Sequence, residues 1–214
     1  MATVVLPMVA TLLLACGDSA PDAATDDTAP GGTAGASGAP DTAGGLAGPQ
    51  AEFWANLQTL CGNAYEGRIM DAQEMDTTFT GRRLVMHVRE CTDDEVRIPF
   101  HVGENRSRTW IISRTGDGLR LKHDHRHEDG SDDEITMYGG DTVDRGTATR
   151  QEFPADEYTA DLVPVARTNV WTVEVMPGHH YAYALRREGT DRRLRVEFDL
   201  TRTVSAPPAP WGWE

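Results

Sequence analysis

Residues 95–127 read EVRIPFHVGENRSRTWIISRTGDGLRLKHDHRH. Their spacing carries the architecture. From Glu95 to Val102 every second residue is apolar: Val96, Ile98, Phe100 and Val102. From Arg106 to Arg114, Trp110 and Ile112 alternate against Ile111. Leu119 and Leu121 continue the alternation, and His123, His125 and His127 then occupy the same face. Successive side chains of a strand point to opposite faces, so a period of two marks three strands, each with one side toward a core. The breaks between them, Gly103-Glu104-Asn105 and Thr115-Gly116-Asp117-Gly118, are short and rich in turn formers. Connections that short join antiparallel neighbours.

The same period extends outward in both directions. Arg83–Cys91 places Leu84, Met86 and Val88 on one face. A short run, Ile135–Tyr138, and two longer ones, Val170–Met176 and His180–Glu188, follow. In Arg193–Thr201, Leu194, Val196, Phe198 and Leu200 face inward, with Arg193, Arg195, Glu197 and Asp199 outward. Turn signals at Thr92-Asp93-Asp94, Asp129-Gly130, Pro177-Gly178 and Gly189-Thr190-Asp191 separate the runs. One segment, AEFWANLQTLCGN (51–63), is helical by spacing: Phe53, Trp54, Leu57, Leu60 and Cys61 share a face, and Gly62 suits the stop. The expectation is a mainly β domain over 51–204. Its eight to ten strands close as an antiparallel up-and-down barrel with one N-terminal helix, and a two-sheet sandwich is the runner-up. The Pro-rich tail 205–214, with Trp211 and Trp213, would cover a barrel mouth or trail in solvent.

A helix carrying Trp54, the stretch Gly62-Asn63-Ala64-Tyr65-Glu66-Gly67, a run of hairpins and a late strand with arginines resemble the calycin group, lipocalins and their relatives. The Gly-x-Trp signature of lipocalins is absent. The segments RLVMHVREC, RIPFHVGENRSRTW, LKHDHRHEDGSDD, YGGDT and GTATRQEFPAD resemble a family of uncharacterised secreted bacterial proteins over roughly residues 52–202. The resemblance implies a β-barrel and an exported location, and brings no chemistry.

The start of the chain points to export as well. Val4–Ala15 is an apolar run too short to span a bilayer and reads as the apolar region of an export signal over residues 1–16. It ends in Leu13-Leu14-Ala15-Cys16, which resembles the bacterial lipobox. That resemblance implies lipidation of Cys16 and a membrane anchor. Gly17 follows, not the aspartate that retains some lipoproteins at the inner membrane, so the expected location is the cell envelope, at the outer membrane. Residues 17–50 have no aromatic residue and one large aliphatic, Leu46. They cannot bury enough apolar surface to offset their ordering entropy and read as a tether.

The first 50 residues hold five of the 34 acids and none of the 20 bases, which leaves 29 acids against 20 bases downstream. That balance disfavours nucleic acid, which demands a basic footprint. A monomer is expected. Cys61 and Cys91 remain after Cys16, and in an exported protein they are expected to form a disulfide, with two buried thiols as the alternative.

The histidines are the candidate site. Residues i and i+2 of a strand lie about 6.7 Å apart on one face, so two imidazoles can converge on one zinc. Three in a row span roughly 13 Å, so His123, His125 and His127 cannot all share an ion without a bend. His87 and His101 lie on neighbouring strands and complete the candidate ligand-binding set with His123 and His125. Three readings stand: a metal site, the polar wall of a ligand cavity, or a solvated hairpin tip at Asp129-Gly130. The acidic run EDGSDDE (128–134) lacks calcium-loop spacing. His179-His180 reads as turn-exposed, and Trp110, Trp171, Tyr181, Tyr183 and Phe198 read as core. No nucleophile-elbow, HExxH or phosphate-loop motif is present. The leading expectation is a non-catalytic, lipid-anchored barrel holding a small or hydrophobic ligand. The alternatives are a metal-binding protein or metal-dependent hydrolase using the histidine strand, and a structural or interaction module of the envelope. No cofactor is identifiable.

Overall fold

The structure, a computed structural model, describes residues 45–72 and 78–213. The expected signal segment, Cys16 and most of the tether lie outside the described residues. The first element among the described residues is helix α1 (Pro49–Gln58). Leu46, just ahead of it, already packs against the core.

Strands follow: β1 (Ala64–Ala72), β2 (Leu84–His87), β3 (Glu90–Cys91), β4 (Glu95–Val102), β5 (Asn105–Arg114), β6 (Leu119–His125), β7 (Tyr138–Asp141) and β8 (Arg150–Pro154). Helix α2 (Glu157–Leu162) and a 3-10 turn (Pro164–Ala166) precede β9 (Asn169–Met176), β10 (His180–Arg187) and β11 (Arg193–Asp199). The strands form one antiparallel sheet in the order β7-β6-β5-β4-β2-β1-β11-β10-β9-β8, with β3 beside β4. Nearly every strand lies next to its neighbour in sequence, and β1 also pairs β11, Gly67 opposite Phe198. The result is a nearly closed up-and-down barrel, an architecture consistent with the calycin resemblance, and not a sandwich.

The ring has one seam, between β7 and β8, which no ladder crosses. It is bridged by the segment that follows β8. Asp156 N–H donates to the Gly139 carbonyl at 2.9 Å. The buried Thr159 hydroxyl accepts from Gly139 N–H at 2.7 Å and donates to Gly139 O at 2.8 Å. Gly140 permits the approach: a Cβ there would lie 1.7 Å from the Pro154 carbonyl oxygen.

One end of the barrel is plugged. Phe53 and Leu57 of α1 are fully buried in the core. The helix is fastened to the loops around that end: Gln50 Nε2 donates to Thr142 Oγ1, Asn56 Nδ2 to Ala148 O, and Gln58 Nε2 to Thr92 O. The expected Cys61–Cys91 disulfide is present and ties the chain after α1 to β3. The alternating residues of β4, β5, β6 and β11 fill the interior as expected, with Val96, Ile98, Ile112, Leu121 and Val196 all buried. On the outside, Arg195 bridges Glu174 and Glu197 across β9–β11. The expected short strand Ile135–Tyr138 is displaced: Ile135 and Met137 are exposed in a loop, and pairing starts at Tyr138.

The C-terminal tail neither covers the mouth nor trails in solvent. It binds the outer wall. Trp211 N–H donates to Arg106 O, and Arg106 Nη1 donates to Ala209 O. The Trp213 ring lies 4.2 Å from the Arg97 guanidinium and 5.1 Å from that of Arg126, and its Nε1 donates to Asp124 Oδ2.

Candidate functional site

Among the described residues, the end opposite α1 is open. It leads into a cavity of about 420 Å³ whose walls come from β4–β7, β9–β11 and the segment between α2 and β9. The floor is aromatic. Trp110 stacks on Phe100 at 4.7 Å and on Tyr183 at 4.5 Å between ring centroids. Beneath them Tyr181 and Phe198 are fully buried and complete the packing. Trp110, Trp171 and Tyr183 therefore face the cavity rather than belonging wholly to the core, whereas Tyr181 and Phe198 are core as expected.

His123 and His125 point into this space, as their alternation with Leu119 and Leu121 requires. His123 is 2% exposed. Its Nδ1 lies 3.0 Å from the Tyr138 carbonyl, which only accepts, so Nδ1 carries the hydrogen. Nε2 then accepts from the Tyr183 hydroxyl at 2.8 Å. Burial, with His125 beside it, holds the imidazole neutral, at a pKa of about 3. His125 Nε2 lies 3.2 Å from the Tyr138 hydroxyl, and burial followed by the charge of Arg108 lowers its pKa to about 4. Burial raises Tyr138 to about 12, so its hydroxyl stays protonated. Together, His123, His125, Tyr138 and Tyr183 form a neutral hydrogen-bonded polar wall.

The other candidates lie elsewhere. His127 lies beyond the end of β6, with its side chain 47% exposed, at the base of the tight turn through Gly130. The three imidazoles are not brought together, because both His123 nitrogens are committed and His127 has left the strand. His127 instead faces Asp133 and Glu134, with one ligand-capable atom from each within 4.8 Å of the others, in an exposed loop. His101 is buried on the outer face of β4, where burial, with Arg106 and His87 nearby, lowers its pKa to about 4. His87 lies on the outer face of β2, since Leu84 and Met86 face the core. Neither His87 nor His101 lines the cavity.

Comparison with protein-family models, curated proteins and solved structures finds no match.

The chemistry of the site therefore rests on its own residues. Some of the most informative were not singled out by the alternation pattern. Asn169 opens β9, and Arg187 lies directly opposite it at the end of β10. Arg187 Nε donates to Asn169 Oδ1 at 2.8 Å. Arg192, on the next strand's approach, shares a backbone hydrogen bond with Arg187 and also lines the cavity. Arg108 enters from β5, where it donates to Asn105 Oδ1 and Ser107 Oγ. β5 and β10 are five places apart in a ring of ten strands, so Arg108 faces the Arg187 side across the mouth.

Proposed function

We propose that this protein is a non-catalytic binding protein that holds one small, largely apolar ligand in the open end of its barrel. The observation that carries this reading is the cavity of about 420 Å³ with a stacked aromatic floor and a few convergent polar groups. Ligand sites are concave, mostly apolar and fixed in orientation by a handful of polar atoms. The polar wall is neutral and fully hydrogen-bonded at His123, which suits recognition better than proton transfer. The apolar run ending at Cys16 and the compositionally biased residues 17–44 support an exported, lipid-anchored protein of the cell envelope. The disulfide agrees with an oxidising compartment.

A titration with Nile red, a neutral solvent-sensitive dye, tests the binding reading. Saturable binding near one dye per chain is expected, and Ala166→Trp, which fills the cavity from its wall, is expected to abolish it. Equal uptake by the filled variant would place the dye elsewhere and refute the reading. For the anchor, radiolabelled palmitate is expected in the wild-type chain and not in Cys16→Ser; label in neither removes the lipoprotein assignment.

A further inference from the structure

We infer that the Arg187–Asn169 pair recognises the anionic head, a carboxylate, of an otherwise apolar ligand. The inference rests on the binding reading above and adds the chemical class of the ligand. Asn169 is 5% exposed, and its side chain still lines the cavity. The hydrogen bond from Arg187 Nε fixes its amide, because only the carbonyl oxygen can accept from a guanidinium. The Asn169 Nδ2 group is thereby turned away from Arg187, and it makes no hydrogen bond within the described residues. Among the described residues Arg187 likewise uses only its Nε as a side-chain donor, which leaves the Nη groups for a ligand.

What the pair presents is one-sided. Its uncommitted hydrogens are all on donors, and its single acceptor, Asn169 Oδ1, already receives one charge-assisted hydrogen bond. A hydroxyl or amide ligand needs both donors and acceptors to be satisfied, whereas a carboxylate only accepts. A guanidinium matches that geometry with two parallel hydrogen bonds, shorter and stronger than neutral ones. The position fits as well. The pair lies at the mouth, with Leu185 and Leu194 further in and the aromatic floor beyond. A ligand would therefore bind with its apolar body inward and its head at the rim. Arg108 and Arg192 also line this space, together with one acid, Asp133, on a chain whose net charge is −14.

A matched pair of competitors tests this: decanoate and decan-1-ol, each displacing Nile red from the full chain at pH 7.5. Decanoate is expected to compete at a concentration at least tenfold lower than decanol. Arg187→Met is expected to erase that preference and leave decanol unchanged, which also shows that the variant is folded. Asn169→Leu should weaken decanoate severalfold in the same selective way. Equal competition by the two compounds in the wild type would overturn the carboxylate assignment while leaving the cavity reading intact. Failure of Nile red to bind at all would overturn both.

Discussion

At the scale of single residues, two tyrosines of one strand separate packing from polar satisfaction. The Tyr183 hydroxyl donates to buried His123, whereas the Tyr181 hydroxyl is buried and has no hydrogen-bond partner among the described residues. Tyr183→Phe strands the His123 Nε2 acceptor and is expected to cost about 1–3 kcal/mol. Tyr181→Phe removes an orphaned group and should be neutral or stabilising by up to about 1 kcal/mol. Urea denaturation of both variants checks the contrast, and equal losses would refute the assignment of the hydrogen bond. The residue scale also shows what one chain of letters conceals. His123 and His125 were legible as one face of a strand, because alternation fixes direction. Arg187 and Asn169 were not, since nothing local connects them. Their partnership depends on the β9–β10 register, which sets Asn169 opposite Arg187.

At the scale of elements, the seam between β7 and β8 is the place where backbone geometry is most demanding. Gly140→Ala would drive a methyl group into the Pro154 carbonyl, 1.7 Å from the ideal Cβ position. We expect a loss of about 2–3 kcal/mol, in the range of an overpacked site. Amide exchange at Asp156, whose N–H donates to Gly139 O, should speed up in parallel. Gly116→Ala, with nothing within 4 Å of its Cβ, serves as the neutral control. Elements with strict alternation, such as β4, β5, β6 and β11, were readable in advance. β1 was not, because Gly67 interrupts its pattern where the Phe198 ring lies against the backbone, 2.6 Å from a would-be Cβ. β8 was hidden by its length of five residues and by Pro154 at its end. The tail was misplaced because its docking depends on Arg97 and Arg126, from two strands, meeting around Trp213.

At the scale of the whole molecule, buried imidazoles set the response to acid. His123, His125 and His101 titrate at about 3, 4 and 4 in the fold, below the ordinary 6.5, and burial is the first cause in each. The folded state therefore refuses protons that the unfolded chain accepts. Stability is complete above pH 6.5 and drains as the pH falls toward the folded values. His123 alone accounts for about 2 kcal/mol by pH 5, at 1.36 kcal/mol per unit. A falling urea midpoint between pH 7.5 and 5 is therefore expected, and a constant midpoint would contradict the burial of the imidazoles. The architecture has one more consequence, which concerns orientation. Gly45 and Leu46 lie beside Thr142 and Gly118, at the end that α1 plugs. The chain thus enters the barrel at one pole, and the cavity opens at the other. A ligand held as proposed would therefore enter at the pole opposite the one where residues 45 and 46 meet the barrel.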